Sequence, residues 1–221
     1  MNEILILLPN YNGEENILKI FKKINDLNIK NSKILFIDDG SIDNSLKTLK
    51  KNNIKYISHK TNLGKGEAIK SGINYAKKNN FKWIITIDTD LQHPPEKIQN
   101  FINLSDEKTI VLGWRKNKKN MPILRIFSNI ITSLLISFRT NTKIFDSQCG
   151  FRMFPIDVKN DFKCIESGFQ YESEFLIKAV LNGYEIKHVI IPTIYNNEKS
   201  AMRNVPDTFK FIRMYLKSFF W

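Results

Sequence analysis

Short apolar runs alternate along the first half of the chain with segments whose apolar residues recur every three or four positions. The short runs are typical of buried strands, and the longer segments are typical of helices that cover one face of a sheet. The pattern predicts strands over residues 4–8, 34–37, 56–58, 83–87 and 110–112 and helices over residues 14–27, 45–51, 66–78 and 95–101. This alternation indicates βαβ units and therefore a mainly parallel sheet.

The second half of the chain is less regular. It predicts helices over residues 123–138, 172–181 and 209–220, a strand over residues 186–191, and a polar loop up to Gly150. No internal repeat or linker rich in proline or glycine interrupts the chain, and 221 residues suit one domain. We expect an α/β domain over residues 1–205, with an amphipathic helix at 122–139 inside it, and a terminal basic helix at 206–221.

Polar clusters follow three of the predicted strands directly. They read PNYNG at residues 9–13, DDGS at 38–41 and DTDLQ at 88–92. Ligands of open parallel sheets bind outside the carboxyl ends of the strands. We therefore expect the three clusters to lie together at one edge of the sheet.

Asp88 and Asp90 are the most informative residues of these clusters. Two carboxylates separated by one residue after a strand can share a hard cation, and Gln92 offers a further neutral oxygen. Mg²⁺ and Mn²⁺ prefer oxygen ligands, and Mg²⁺ typically takes one or two protein carboxylates beside water and phosphate oxygens. The alternative is that both aspartates only cap the turn into the next helix, since D-x-D triplets are common.

The other two clusters are less specific. Asp38 and Asp39 either accept hydrogen bonds from a nucleobase or ribose, or form an ordinary Asx turn. Gly64, Lys65 and Gly66 lie at a predicted helix start, where free amides and the helix dipole attract anions. Because this stretch matches neither the P-loop nor the GxGxxG pattern, those two classes of nucleotide-binding site lose support.

The net charge of +12 is concentrated in two segments. Residues 108–145 contain eight Lys or Arg and no acid, residues 199–221 contain five against one acid, and the rest of the chain is neutral. A nucleic-acid-binding module would interleave basic with aromatic residues. Here the basic residues of 108–145 alternate mostly with Ile and Leu, which favours lipid.

The helix predicted at residues 123–138 is strongly amphipathic. Its apolar residues recur at helical spacing, with Arg125, Asn129 and Thr132 on the other side. The uncharged run over residues 126–138 has 13 residues, fewer than the roughly 20 required to span a bilayer. The helix therefore lies either in a membrane interface, which the flanking basic residues favour, or in the protein core.

The terminal helix has a basic face formed by Lys210, Arg213 and Lys217 and an apolar face opposite. This pattern suits anionic headgroups; the alternative is packing against a partner subunit. Cys149 and Cys164 fit neither a disulfide framework nor a zinc pattern, which favours a reducing cytoplasm. Residues 1–10 show no signal-peptide features.

Taken in order, these motifs resemble those of glycosyltransferase family 2 enzymes with the GT-A fold, in particular the polyprenyl-phosphate and dolichol-phosphate sugar synthases. The matching stretches are PNYNGEEN (9–16), DDGSID (38–43), NLGKG (62–66), DTDLQHPPE (88–96) and DSQCGFR (146–152). The resemblance covers residues 4 to about 205, and the last two stretches form a specific pair. It implies a Rossmann-like, mainly parallel sheet flanked by helices, with amphipathic helices at the membrane interface.

The resemblance also implies roles for individual residues. The residues implied for Mg²⁺ or Mn²⁺ binding are Asp88, Asp90 and Gln92. Those implied for the nucleotide-sugar are Pro9, Tyr11, Asp38 and Asp39, and we expect Lys65 and Asp88 to bind it as well. Those implied for the acceptor phosphate are Arg115 and Arg125, and we further expect Asp90, Asp146 and Arg152 to take part in catalysis. One departure is Gly13, which stands where the family usually has Glu; Glu14 or Glu15 could substitute for it.

The expected reaction is an inverting, metal-dependent transfer of a sugar from a nucleotide-diphosphate sugar to a polyprenyl or dolichyl phosphate. A lipid phosphate is already anionic and requires no strong base, whereas a sugar hydroxyl requires a carboxylate to take its proton. Asp146 is the candidate for such a base, with Glu172 or Glu174 behind it, and structural hydrogen bonding is the alternative for all three.

Two other functions stay open. One is a transferase of the same fold that glycosylates a sugar hydroxyl in a surface polysaccharide or lipopolysaccharide, and the other is a non-catalytic nucleotide-sugar binder. The expected partners are a nucleotide-sugar donor, a lipid-phosphate acceptor and a membrane surface, with no nucleic acid. The expected location is the inner face of the plasma membrane, on the cytoplasmic side.

Overall fold

The apolar runs of the sequence form one sheet. In the computed structural model, which describes residues 3–118, 121–158, 162–194 and 204–221, this sheet has seven strands in the order β3-β2-β1-β4-β6-β5-β7. The strands are β1 (Ile4–Asn10), β2 (Ser32–Asp38), β3 (Tyr56–Ser58), β4 (Trp83–Thr86), β5 (Thr109–Arg115), β6 (Arg152–Pro155) and β7 (Glu185–Ile191). Only β6 is antiparallel to its neighbours among these strands. The predicted α/β class with a mainly parallel sheet is confirmed.

Helices cover both faces of the sheet. They are α1 (Glu14–Asn25), α2 (Ser45–Lys51), α3 (Lys65–Lys78), α4 (Ile98–Leu104), α5 (Ile123–Thr140), α6 (Tyr171–Leu181) and α7 (Asn204–Lys217). The helix predicted at residues 95–101 divides into a 3₁₀ turn at Pro95–Lys97 and α4. The terminal helix begins at Asn204 rather than at Phe209 and ends in a 3₁₀ turn at Ser218–Phe220.

Alternate side chains of β1 build the two halves of the core. Leu5 and Leu7 pack on the face covered by α3 and α6, whereas Ile6 and Leu8 pack on the face covered by α1 and α4. All four side chains are fully buried, and burial of each contributes about 1.5–3 kcal/mol. The period of two along a strand therefore places β1 between the two halves of the core.

The order of the strands reverses beside β1. The chain runs from β1 to β2 and β3 on one side and then crosses to β4, which pairs in parallel with the other side of β1. At such a switch point the loops that follow the two strands separate and leave a crevice for a ligand. The clusters at residues 9–13 and 88–92 lie at this point.

Helix α5 buries its polar face and exposes its apolar face, which is the reverse of an ordinary amphipathic helix. Its inward face is polar, with Asn129, Thr132, Ser133 and Thr140 buried. Its outward face is apolar, and its exposed side chains are Ile123, Leu124, Phe127, Ile130, Ile131, Leu134 and Phe138. The alternative of an ordinary core helix is therefore wrong for this face. Among the described residues α5 alone is long and apolar enough to cross a membrane, with a mean hydropathy of 1.3.

Helix α7 packs beside α5 and also exposes apolar residues. Tyr215 donates its hydroxyl to the Leu135 carbonyl of α5 (3.0 Å), and Arg139 of α5 donates to the Ser218 carbonyl (2.6 Å). The exposed apolar side chains of this region are Phe209, Ile212, Leu216, Phe219 and Phe220, and its exposed cations are Lys210, Arg213 and Lys217. Lys119, Lys199 and Arg203, which add to the basic segments, lie outside the described residues.

Candidate active site

The predicted acidic pair lies at the carboxyl end of β4. Asp90 Oδ1 accepts a hydrogen bond from the Gln92 amide at 3.0 Å. Between them Leu91 has a φ of 60°, in the left-handed region that non-glycine residues seldom adopt. This turn holds Asp88 and Asp90 partly exposed at the crevice, while the Gln92 side chain is buried.

Asp88 is held from three sides. Its Oδ1 lies 2.7 Å from the Lys65 ammonium, which is also 3.1 Å from Glu172 Oε1. Its backbone amide donates to His93 Nδ1 at 3.3 Å. Gly150 packs so closely against the Asp88 carboxylate that a Cβ at position 150 would collide with it. The structure therefore brings Lys65, Asp88 and Asp90 together, as predicted, and adds Glu172 to them.

The two carboxylates of the pair differ in their electrostatic setting. Burial opposes ionisation of Asp88, but Lys65 outweighs it and lowers the pKa of Asp88 to about 2. Burial, and then the neighbouring charge of Asp88, raise the pKa of Asp90. A carboxylate that is destabilised by burial and by a like charge is stabilised by a nearby cation.

This donor set fits a hard divalent ion. Within the described ranges, no group of three or more His, Cys, Asp or Glu side chains is placed to hold a metal ion. Two aspartates and one amide oxygen would leave the remaining positions to water and phosphate oxygens, which is the usual arrangement for Mg²⁺. The residues therefore suit Mg²⁺ or Mn²⁺ in the presence of a diphosphate.

Asp39 joins the end of β2 to the start of α3. Its carboxylate accepts hydrogen bonds from the amides of Leu63 (3.0 Å) and Gly64 (2.8 Å) and lies 2.6 Å from His59 Nδ1. The amides of Leu63 and Gly64, which directly precede α3, are thus bound to an anion from the protein itself. Asp39 is 3% exposed, so it shapes the crevice wall from within.

Asp38 and the loop after β1 form the neighbouring wall. Asp38 is 1% exposed, and its Oδ1 accepts from Ser41 Oγ (2.6 Å) and Asn10 Nδ2 (3.2 Å). Tyr11 is 45% exposed, and the Pro9 carbonyl accepts a hydrogen bond from Thr89 Oγ1 at 3.4 Å. The loops after β1, β2 and β4 are therefore in contact.

Gly13, which stands where the resembled family usually has Glu, packs closely against a neighbouring side chain. A Cβ at position 13 would collide with the Asn10 side chain. The Glu14 carboxylate accepts hydrogen bonds from the backbone amide (3.2 Å) and the side chain (3.1 Å) of Asn44, just before α2. Glu14 is thus committed to α2 rather than turned toward the crevice.

Asp146 and Arg115 form a buried ion pair. Arg115 donates from Nε to Asp146 Oδ2 at 2.7 Å and from Nη2 to Oδ1 at 2.8 Å. Asn129 of α5 donates to the same Oδ1 at 2.7 Å, and Asp146 is fully buried. Burial opposes ionisation, but the hydrogen bonds from Arg115 outweigh it and lower the pKa of Asp146. This setting suits a residue that positions Arg115 and does not suit a base.

Arg152 and Glu174 are also engaged by the backbone. Arg152 donates to the carbonyls of Cys149 (2.9 Å), Ser147 (2.8 Å) and Glu172 (2.8 Å) and is buried. Glu174 accepts from the amides of residues 165 (2.9 Å) and 166 (2.8 Å). Both side chains hold loops beside the crevice. Arg125 lies half-buried in the first turn of α5.

Three side chains that support the site were not singled out from the sequence. His59 links Asp39 to Ser71 of α3 (2.9 Å), and Asn129 links α5 to Asp146. His93 accepts from the Asp88 amide, and burial lowers its pKa, which favours the neutral form that can accept. The position of His59 directly after β3 was an available signal, because the neighbouring parallel strands carry site residues at the same edge.

A model of the family described as Glycosyl transferase family 2 matches residues 5–161. A UDP-N-acetylglucosamine–dolichyl-phosphate N-acetylglucosaminyltransferase of Methanococcus voltae is 31% identical over 90% of this chain and 88% of its own length. An undecaprenyl-phosphate 4-deoxy-4-formamido-L-arabinose transferase of Proteus mirabilis is 28% identical over 70% of this chain and 49% of its own length.

The fold is also found in solved structures. The glucosyl-3-phosphoglycerate synthase of Mycobacterium tuberculosis, crystallised with Mn²⁺, UDP-glucose and phosphoglyceric acid, superposes with a TM-score of 0.77. The match covers 98% of this chain and 79% of the synthase at 16% identity. At this level of identity the likeness establishes the GT-A type of fold alone.

Proposed function

The chain belongs to glycosyltransferase family 2 and is a glycosyltransferase, and from this premise we propose that it moves a sugar from a nucleoside-diphosphate sugar to a polyprenyl phosphate at a membrane surface. Two relatives whose names state dolichyl-phosphate or undecaprenyl-phosphate transfer support this acceptor class. The proposed location is peripheral, on the cytoplasmic face of the plasma membrane.

One observation carries the lipid part of the proposal. The apolar face of α5 is exposed, while Asn129 on its polar face holds Asp146, which in turn holds Arg115 at the end of β5. Hydrogen bonds through Asn129, Asp146 and Arg115 thus connect the helix with the lipid-suited surface to the end of β5. The basic residues that surround α5 suit an anionic headgroup.

The carboxylates that could act as bases are already engaged by other groups of the protein, which favours an acceptor that is already anionic. Asp146 and Glu174 are occupied by hydrogen bonds from the protein, and Glu172 lies against Lys65. A sugar hydroxyl would need one of these carboxylates to take its proton, whereas a phosphate oxygen would not. This argues against the rival acceptor, a hydroxyl of a surface polysaccharide.

In the proposed reaction, Asp88, Asp90 and Gln92 would hold Mg²⁺ or Mn²⁺, and the ion would supply positive charge to neutralise the diphosphate leaving group. Pro9, Tyr11, Asp38 and Asp39 form the crevice wall for the nucleotide, and Lys65 lies within reach of an anion beside Asp88. Arg115, positioned by Asp146, and Arg125 attract the acceptor phosphate. Attack from the face opposite the leaving group inverts the anomeric configuration.

The test is a panel of UDP-, GDP- and dTDP-sugars with Mg²⁺ or Mn²⁺, each offered undecaprenyl or dolichyl phosphate in vesicles or a soluble sugar. We expect transfer to the lipid phosphate with one donor, its loss on chelation by EDTA, and its loss in Asp90→Asn. Transfer to the soluble sugar alone would contradict the acceptor. Full activity in EDTA would contradict the metal, and donor binding without transfer to any acceptor would favour a non-catalytic binder.

A further inference from the structure

Lys65 is placed as a counter-ion inside the acidic site. It is the first residue of α3, and its ammonium lies 2.7 Å from Asp88 Oδ1 and 3.1 Å from Glu172 Oε1. Its side chain is 17% exposed, so water screens the pair only partly. One cation is thus shared by two carboxylates, one from the loop after β4 and one from α6.

The neighbouring groups leave Lys65 as the principal cation at Asp88. His93 accepts a hydrogen bond from the Asp88 amide and is therefore neutral at that nitrogen. Arg115 is committed to Asp146 through two hydrogen bonds. Asp90 is a second carboxylate beside Asp88, and its Oδ1 accepts a hydrogen bond from the Gln92 amide.

A divalent ion at Asp88 would meet this ammonium directly. The ion would compete with Lys65 for the same carboxylate, and the two cations would repel each other at a separation of a few ångströms. Even in a water-like dielectric, that repulsion corresponds to about a tenfold weaker affinity. A nucleoside diphosphate would reverse the balance, because its phosphates supply negative charge to both cations.

We propose that Lys65 keeps the acidic pair from binding a divalent ion until a nucleoside diphosphate arrives, so that metal and donor bind together. The inference rests on the proposed function, because it takes Asp88 and Asp90 as the ligands of the metal. It assigns Lys65 a role in the order of binding in addition to contact with the donor. It predicts that removal of a cation improves metal binding while it impairs turnover.

The test measures free Mn²⁺ by electron paramagnetic resonance in titrations of the whole chain, with and without UDP, GDP or dTDP. For the wild type we expect weak binding of Mn²⁺ alone and much tighter binding with one of the nucleotides. For Lys65→Met we expect the affinity for Mn²⁺ alone to rise by about tenfold or more and the gain from the nucleotide to shrink. Unchanged or weaker binding of Mn²⁺ alone in Lys65→Met would overturn the inference.

A second variant identifies the carboxylate responsible. Lys65→Met frees Glu172 as well as Asp88, whereas Lys65→Met with Glu172→Gln removes one charge of each sign and frees Asp88 alone. A gain in Mn²⁺ affinity that persists in the double variant supports restraint at Asp88; a gain that disappears would mean that Glu172 had become a ligand, and would overturn it. Melting temperatures show whether each variant folds, and Lys65→Gln takes the place of Lys65→Met, alone or combined with Glu172→Gln, in any variant that does not.

The same titrations separate the two proposals. If the wild type binds no Mn²⁺ with any of the nucleotides, the metal part of the proposed function and this inference both fail. If it binds Mn²⁺ with a nucleotide but Lys65→Met behaves like the wild type, this inference fails alone.

Discussion

Replacement of three exposed residues of α5 should abolish the proposed membrane binding without unfolding the protein. Leu124, Phe127 and Leu134 are 76%, 64% and 64% exposed, so they contribute little to the core. We therefore expect the triple substitution by Gln to change the free energy of unfolding by no more than about 0.5 kcal/mol per residue.

The expected effect on lipid binding is far larger. Full burial of a Leu or Phe side chain is worth about 1.5–3 kcal/mol, and about two-thirds of each of these side chains remains available for burial in lipid. Three substitutions should then weaken the free energy of membrane binding by about 3–6 kcal/mol, which is about a hundredfold or more in the partition coefficient. Co-sedimentation with vesicles that contain anionic lipid measures this coefficient.

Ile165→Gln is the matched control, because Ile165 is 76% exposed and belongs to the segment before α6, where its carbonyl accepts a hydrogen bond from Lys70 of α3. It should leave vesicle binding unchanged. The reasoning is refuted if the triple variant binds vesicles as the wild type does. It is also refuted if the melting temperature falls by about 10 °C or more, since that loss would mean that the face is packed against protein in solution.

Three further predictions concern Asp146, His188 and Gly150. Asp146→Ala should lower the free energy of unfolding by about 3–5 kcal/mol, because it leaves the Arg115 guanidinium buried and unpaired; urea unfolding measures this, and a loss below 1 kcal/mol would contradict the pairing. Burial lowers the pKa of His188 to about 4, so the unfolded chain takes up more protons as the pH falls from about 6.5 to 4. Stability should decline over that range by about 1–2 kcal/mol after allowance for solvent screening, and His188→Gln should lack this part of the pH dependence in urea titrations. Gly150→Ala should displace the Asp88 carboxylate and reduce turnover at least tenfold with little change in melting temperature; normal kcat in this variant would show that the contact is unimportant.

The sequence pattern located most of the fold because most elements are defined by local spacing. β1, β2 and β4 are short apolar runs, and the helices between them show their buried faces directly. β6 escaped detection because it is a four-residue segment that begins with a buried Arg152 and ends with Pro155. Its place between β4 and β5 depends on partners far away in the chain, which local periodicity does not record.

The candidate site also contains residues that local sequence predicts and residues whose setting depends on distant parts of the chain. Asp88 and Asp90 were identifiable because they end a predicted strand at an edge where ligands bind. The buried Asp146 accepts hydrogen bonds from Arg115 and Asn129, which are 31 and 17 residues away in the chain. Such pairings leave no local signal, so the sequence did not predict that the carboxylate of Asp146 is buried against an arginine and an asparagine.

Helix α5 shows why the direction of an amphipathic helix needs a structure. The sequence predicted its two faces, but a polar face normally meets water, and here Asn129 and Ser133 are buried. This arrangement is stable because the polar groups are satisfied inside the protein: Asn129 bonds to Asp146, and Ser133 Oγ accepts from the Ser147 amide at 3.0 Å. The same hydrogen bonds that leave the apolar face exposed also fix the loop beside the crevice. Asp146 receives hydrogen bonds from both Asn129 of α5 and Arg115 of β5, so the position of the proposed membrane surface and the position of Arg115 are determined together.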